Sequence, residues 1–133
     1  MPWTPSHKPA AEAFATALTA FGQGLAFHEA DVLADLIALE SAFPDASAYG
    51  RALSEILHQL RVAVEQMPGR EMVGRVTGWR RYAFRSDRQT AGVRADLRIV
   101  YRVQGGRLVL FGFGHRSIPE DVYLRLRNRP LPE

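Results

Sequence analysis

The stretch from Ala95 to His115 constrains the fold of this chain more than any other sequence feature. It contains two apolar-rich runs of Val, Ile, Leu, Phe and Tyr, joined at Gly105-Gly106. A two-residue Gly-Gly connection favours a type I′ turn, because both central residues of that turn need a positive φ angle. The pattern therefore predicts an antiparallel β-hairpin centred on these two glycines.

Counting outward from the turn predicts which residues share a face of the hairpin. With regular pairing, Gln104 faces Arg107 and Arg98 faces Phe113, and paired residues point to the same side of a sheet. One face is then apolar and is expected to form the core: Leu97, Ile99, Tyr101, Val103, Leu108 and Leu110. The other face is basic and aromatic at once: Arg98, Arg102, Phe111, Phe113 and His115.

A basic and aromatic surface suits a polyanion that carries unpaired bases. Arginine binds phosphate bidentately, and aromatic rings stack on bases that are not paired. The hairpin alone leaves a second interpretation open, in which an ordinary amphipathic hairpin has an exposed face rich in arginine.

The distribution of charge along the chain favours the first interpretation. Residues 1–67 contain three basic and eight acidic residues, a net charge of −5, whereas residues 68–133 contain fourteen arginines and six acidic residues, a net charge of +8. A GC-rich genome would explain arginine in place of lysine, but it would not explain this asymmetry. Arginine concentrated in the half that carries the hairpin is the pattern expected of phosphate binding.

The remaining segments predict an α+β fold in a single domain of 133 residues. Apolar spacing indicates helices at 9–21, 29–43 and 46–66, the last two forming a helical hairpin. A basic, β-leaning segment at 73–85 precedes the β-hairpin, and a capping-box pattern predicts a terminal helix over 117–127. We expect the helices to pack on a small antiparallel meander. The segment 24–27 is short, and one interpretation of it is a strand of four residues.

Several classes of site and compartment are not expected. The chain has no cysteine, which excludes disulfides and cysteine-ligated metals. His28, Glu29 and Asp31 are interpreted as a helix N-terminus rather than as metal ligands. No apolar run approaches the ~20 residues needed to span a bilayer, and the N-terminus does not have the pattern of a signal peptide. We therefore expect a cytoplasmic protein that needs no metal or cofactor and has no membrane partner.

The runs LRIVYRV, RLVLFGFGHR and DVY resemble the hairpin and following helix of the RelE/ParE superfamily of type II toxins. The resemblance covers roughly residues 24–127. It makes residues 22–133 a toxin domain and leaves residues 1–21 as an N-terminal helical extension, which either joins a homodimer contact or covers part of the site. In the RelE branch it implies an endoribonuclease that cleaves ribosome-bound messenger RNA through the RNA 2′-hydroxyl, and it implies a cognate antitoxin as partner.

The resemblance also implies roles for individual residues. Arg98 corresponds to the arginine that contacts the scissile phosphate, Arg116 to the arginine after the second hairpin strand, and Tyr123 to the tyrosine that stacks on or orients the substrate. Arg81 lies where the preceding strand carries a basic residue. Fixed guanidinium groups stabilise the charge of phosphoryl transfer without a metal. His115 is the candidate acid or base, since histidine changes charge near neutral pH. The expected RNA-binding residues are Arg80, Arg85, Arg102 and Phe113.

Two departures from the RelE pattern leave other functions open. Ala83 stands where the RelE branch often has a second lysine, and the loop between Arg85 and Arg98 is longer than is usual. A ParE-like inhibitor of DNA gyrase and a non-catalytic interaction protein are therefore alternatives. Regular pairing also places Arg116 on the face opposite Arg98, so that the two converge only if the strand bulges at Gly112 or Gly114.

Overall fold

The chain is described by a computed structural model that covers residues 6–74, 77–87, 95–115, 126–127 and 129–132. The helices within these ranges are α1 (Lys8–Ala20), a short 3-10 helix (Gly22–Gly24), α2 (Glu29–Ala42) and α3 (Ala46–Gln66). The strands are β1 (Leu25–Ala26), β2 (Arg70–Glu71), β3 (Arg80–Phe84), β4 (Leu97–Gln104) and β5 (Arg107–His115). The predicted α+β class is confirmed.

The five strands form one sheet in the order β1-β5-β4-β3-β2. The short segment at 24–27 supplies β1, which runs parallel to β5 and pairs Leu25 with Leu108. The other neighbours are antiparallel, so that β3, β4 and β5 form the predicted meander. Gly105 and Gly106 have φ angles of 62° and 77°, as a type I′ turn requires.

The helix boundaries follow local signals closely. The N-terminus of α3 is capped by Asp45, whose carboxylate accepts a hydrogen bond from the amide of Ala48 at 2.9 Å. The same helix ends at Met67, which adopts the left-handed conformation with φ 48° just before Pro68. None of the described helices is both long and apolar enough to cross a bilayer. The predicted terminal helix over 117–127 lies almost entirely outside the described residues.

Helices α1, α2 and α3 pack on one face of the sheet, which we call the helix face; the opposite one is the outer face. A cluster of buried apolar side chains lies between these helices and the sheet. The six hairpin residues predicted to form the core all belong to this cluster or pack against it. From α1, Ala11, Phe14 and Leu18 are at most 1% exposed. Helix α1 is therefore an integral part of the core, and it does not lie over the outer face, where Arg98 projects.

The pairing of β4 with β5 is not regular along its whole length. Tyr101 pairs with Leu110, as predicted, but the register shifts by one residue between Val100 and Tyr101. Val100 then pairs with Gly112, which leaves Phe111 as the extra residue of a β-bulge. Because side chains alternate between faces, a shift of one residue moves every later side chain of β5 to the other face.

The bulge corrects two predictions about the hairpin. Phe113 pairs with Ile99 and His115 pairs with Leu97, so both belong to the helix face and not to the face of Arg98. Phe113 is fully buried, and its ring centroid lies 5.3 Å from that of Phe14. The predictions that Phe113 binds RNA and that His115 shares a face with Arg98 are therefore wrong.

The outer face carries an apolar cluster of its own. Five residues in this cluster are at most 5% exposed: Trp79, Val100, Val109, Phe111 and Leu126. Val100 lies between Arg98 and Arg102 on β4 and is completely buried. The basic and aromatic surface predicted for this face is therefore not continuous. The ring of Phe111 is buried, and the buried Val100 separates Arg98 from Arg102.

A buried ion pair lies along the part of the β5 edge that does not pair with β1, beyond Val109. The carboxylate of Asp35 on α2, 1% exposed, accepts hydrogen bonds from the Phe113 amide at 3.1 Å and from Arg129 at 2.9 and 3.1 Å. Arg129 also donates to the carbonyl of Phe111 at 3.1 Å. Burial opposes the charged guanidinium, but the hydrogen bonds and negative charge of Asp35 outweigh it and raise the pKa of Arg129. The pair thus satisfies backbone groups on both sides of the bulge.

We expect Asp35→Asn to lower the free energy of unfolding by about 3–5 kcal/mol, because it removes the buried charge that accepts two hydrogen bonds from Arg129 and leaves only the partly exposed Asp31 near that guanidinium. The matched control is Asp31→Asn. Asp31 is one-quarter exposed and its carboxylate lies 3.5 Å from the same guanidinium, so its loss should cost about 1 kcal/mol or less. Urea denaturation measures both variants, and equal losses would contradict the assigned role of Asp35.

Candidate functional site

Three arginines from three neighbouring strands line one cavity on the outer face, at the edge of the sheet away from β1. The cavity has a volume of about 450 Å³ and is lined by Gly69, Arg70, Arg81, Tyr82, Ala83 and Arg98. Strand register explains the convergence, since Arg70 pairs with Arg81 and Ala83 pairs with Arg98. Paired residues and residues two apart point to the same face, so the three guanidinium groups project together. We call this the arginine cavity.

Arg98 is held in place by contacts with the backbone. Its side chain is half-buried, and its Nη1 atom donates to the carbonyls of Ala95 at 2.9 Å and Leu97 at 3.0 Å. A guanidinium has five N–H donors, so the donors on Nε and Nη2 are those left to meet a ligand. A charged donor fixed in advance is what stabilisation of a phosphoryl transition state requires.

Two side chains of neighbouring strands hold the start of β2 close to β3. The hydroxyl of Tyr101 donates to the carbonyl of Pro68, and the guanidinium of Arg80 donates to the carbonyl of Gly69 at 3.1 Å. Gly69 has a φ angle of 98°, and a Cβ atom there would lie 2.1 Å from the carbonyl oxygen of Arg81. Only glycine fits at this approach, which places Arg70 beside Arg81.

The structure places the predicted RNA-binding residues Arg80, Arg85 and Arg102 in three different environments. Arg80 pairs with Tyr101 on the helix face, where it supports Gly69. Arg85 lines an adjoining cavity of about 430 Å³ that also contains Glu55. The guanidinium of Arg102 lies 4.7 Å from the centre of the Trp79 ring, beyond the apolar cluster. None of them is among the described residues that line the arginine cavity.

The predicted catalytic residues are only partly brought together. Arg81 and Arg98 share the arginine cavity, as expected. His115 lies on the helix face, with its ring centroid 5.8 Å from that of Phe43. The expectations for Arg116 and Tyr123 fall outside the described residues.

Sequence reasoning missed Arg70 and Tyr82 as lining residues of the cavity. The two-residue strand that carries Arg70 has no periodic pattern to reveal it. The Pro68-Gly69 pair after α3 was the available signal, because glycine beside a strand often marks a close approach of two backbones. Tyr82 follows Arg81 on β3 and pairs with Ile99, so its side chain belongs to the helix face and only borders the cavity.

A larger cavity lies between α3 and the segment that follows β3. It has a volume of about 700 Å³ and is lined by Gly50, Arg51, Ser54, Glu55, His58, Ser86 and Asp87. Its carboxylates come from Glu55, which is buried and hydrogen-bonded to Gln59 at 2.7 Å, and from Asp87. Mixed charge of this kind disfavours a polyanion. The arginine cavity has no carboxylate among its described lining residues, and it is the better candidate despite its smaller volume.

No protein-family profile, curated protein or solved structure matches this chain. Three guanidinium groups line one open cavity, one of them fixed by backbone carbonyls, and this is the kind of donor set that phosphate groups bind.

The buried hydroxyl of Tyr101, which donates to the carbonyl of Pro68, makes the free energy of unfolding depend on pH in the alkaline range. Burial raises the pKa of Tyr101 from 10.0 to about 12, although the nearby charge of Arg80 acts in the opposite direction. Because the folded-state pKa lies above the ordinary value, this contribution to stability is complete below pH 10 and is lost as the pH rises towards 12.

We expect the wild type to lose about 2 kcal/mol of unfolding free energy from this group between pH 10 and 12, and Tyr101→Phe to lack that loss. The control is Tyr82→Phe, which removes a half-buried phenol instead. Urea denaturation at several pH values measures the difference, and parallel stability curves for the wild type and Tyr101→Phe would refute it.

Proposed function

We propose that this protein is the toxin of a type II toxin–antitoxin pair, a RelE-like endoribonuclease that cuts ribosome-bound messenger RNA in the cytoplasm without a metal. The observation that carries the proposal is the arginine cavity, where Arg70, Arg81 and Arg98 converge. The resemblance of the hairpin to the RelE/ParE superfamily favours RNA as the polyanion. A further support is the order of elements, in which a helical hairpin, a basic strand and a β-hairpin follow one another.

In the proposed reaction the 2′-oxygen of a ribose attacks the adjacent phosphorus atom. A bond forms between the 2′-oxygen and phosphorus, and the bond from phosphorus to the 5′-oxygen of the next nucleotide breaks. The 2′-hydroxyl loses its proton and the leaving 5′-oxygen gains one, which yields a cyclic phosphate and a 5′-hydroxyl. Arg98 stabilises the negative charge that develops on the phosphate oxygens, and Arg81 adds a second positive charge from the neighbouring strand.

Proton transfer is not assigned to His115, because that residue lies on the other face of the sheet. Among the described lining residues, Tyr82 borders the cavity but pairs with Ile99, so that its side chain packs on the helix face as well. The proposed catalysis therefore relies on stabilisation of charge. Arg116 and Tyr123, which the resemblance places at the site, remain predictions.

The proposed partner is a cognate antitoxin that covers the arginine cavity with an acidic segment. Residues 68–133 carry a net charge of +8, and opposite charge on a partner accelerates and orients its association. Such a partner would neutralise the toxin by occupying the positions that the RNA phosphates take.

One observation favours a non-catalytic alternative. Ala83 lies beside Arg98 in the cavity, at the position where the resemblance leads one to expect a second lysine. The site then has one cation fewer than the RelE branch often has, and an interaction protein or a ParE-like gyrase inhibitor becomes the competing hypothesis.

We expect expression of the wild type to arrest growth and Arg98→Ala to relieve the arrest, because removing one fixed donor to the transition state lowers the rate by about 10²–10³. The matched control is Arg107→Ala, which removes the same charge from an exposed position next to the hairpin turn and should still arrest growth. Growth curves and primer extension on cellular messages measure the two effects.

Three results would contradict this proposal. Growth arrest by Arg98→Ala equal to that of the wild type would remove Arg98 from the site. Arrest with a DNA-damage response and intact messages would favour gyrase inhibition. Harmless expression of the wild type, with no cleaved message, would favour the non-catalytic alternative.

A further inference from the structure

We propose that Arg70 anchors a second phosphate of the same RNA strand, next to the phosphate that Arg98 contacts, and that it contributes to affinity rather than to the chemical step. The inference rests on the proposed function, since it assigns a role within the same cavity. It adds a residue that neither the hairpin pattern nor the resemblance indicated.

Arg70 and Arg98 lie far enough apart on the sheet to contact different phosphates. Arg98 lies on β4 and Arg70 on β2, with β3 between them. Neighbouring strands are about 4.8 Å apart, so the two backbones are separated by about 10 Å. Arg70 is also offset along the sheet, since it pairs with Arg81, whose partner on β4 is Val100 rather than Arg98. Two neighbouring phosphates of an extended strand therefore fit the two arginines, one phosphate for each.

Arg70 and Arg98 also differ in how firmly they are held. Arg98 is half-buried and bonded to two carbonyls, which suits the stabilisation of a transition state at a fixed position. Arg70 is exposed on a two-residue strand. An exposed guanidinium contributes mainly through the attraction of phosphate and the release of counterions, which act equally on the bound ground state and the transition state.

The backbone that carries Arg70 is nevertheless well positioned. Tyr101 and Arg80 hold the carbonyls of Pro68 and Gly69, the two residues that precede it. Just after the strand, the amide of Met72 donates to the carbonyl of Trp79 at 2.7 Å and continues the pairing of β2 with β3. These contacts place the side chain at the rim of the cavity, where it extends the positive surface beyond Arg81.

The test measures binding and chemistry separately with the full-length protein. A fluorescein-labelled, mixed-sequence decamer of 2′-O-methyl RNA is the binding probe, because it lacks the attacking hydroxyl. Fluorescence anisotropy at several salt concentrations gives the affinity and its salt dependence. Single-turnover cleavage of an unmodified message bound to ribosomes, at saturating protein, gives the chemical rate.

We expect Arg70→Gln to weaken binding by about tenfold and to reduce the slope of log affinity against log salt by roughly 0.7, the value for one contact to a single strand. Its single-turnover rate at saturation should stay within about twofold of the wild type, as for a residue that binds ground state and transition state equally. The matched control, Arg107→Gln, removes the same charge next to the hairpin turn and should bind within about twofold of the wild type.

A second variant tests position rather than charge. Gly69→Ala keeps the guanidinium of Arg70 but introduces a Cβ atom that would lie 2.1 Å from the carbonyl oxygen of Arg81. Strand β2 must then move, and we expect binding to weaken as in Arg70→Gln while circular dichroism remains that of the folded protein. Binding like that of the wild type in this variant would overturn the positional argument.

The outcomes separate this inference from the proposed function. If the wild type binds and cleaves RNA but Arg70→Gln behaves like Arg107→Gln, the inference is overturned and the proposed function stands. A saturating cleavage rate that falls in Arg70→Gln as far as in Arg98→Ala would also overturn it, because Arg70 would then act in the chemical step. If the wild type does not bind the RNA probe at any salt concentration, both proposals fail.

Discussion

A shift of one residue in the pairing of β4 with β5 determines which side chains reach each face of the sheet. The bulge at Phe111 is stabilised by the buried pair of Asp35 and Arg129, which bonds to the carbonyl of Phe111 and the amide of Phe113. Gly112 completes the arrangement, because a Cβ atom there would lie 2.5 Å from the side chain of Leu126. Helix α2, strand β5 and the C-terminal segment are thereby held in one geometry by a charge pair removed from water.

The shift divides the sheet into two surfaces of different character. On the helix face it adds Phe113 to the core that α1, α2 and α3 cover. On the outer face, Phe111 and Val100 join Trp79 in a small apolar cluster, and this cluster separates the arginine cavity from Arg102. The proposed site therefore relies on charge more than on stacking of aromatic rings, and its affinity for RNA should depend strongly on salt.

The sequence predicted those elements that local chemistry specifies. The Gly105-Gly106 turn, the limits of α3 and the apolar face of the hairpin all follow from positive φ angles, capping and periodicity. The register beyond Val100 does not follow from such signals, because it is stabilised by Asp35, which is 78 residues distant from Phe113 in the chain. Regular counting was correct up to the bulge and wrong after it.

The residues of the site were predictable where local sequence patterns specify their strands, and not where tertiary contacts place them. Arg81 and Arg98 were found because both lie on strands with a recognisable pattern, and their convergence needed only the meander. Arg70 was missed because its place depends on a close approach of two backbones at Gly69, which is a tertiary feature. His115 was placed on the wrong face by the same shift that buried Phe113.

The central claim is that RNA binds in the arginine cavity on the outer face. Titration of the isotope-labelled protein with the 2′-O-methyl decamer, followed by NMR through backbone amides and arginine side chains, tests it most directly. The account predicts that the largest shifts fall on Gly69, Arg70, Arg81, Ala83 and Arg98. Shifts concentrated instead on Arg51, Ser54 and His58, in the larger cavity along α3, would contradict it.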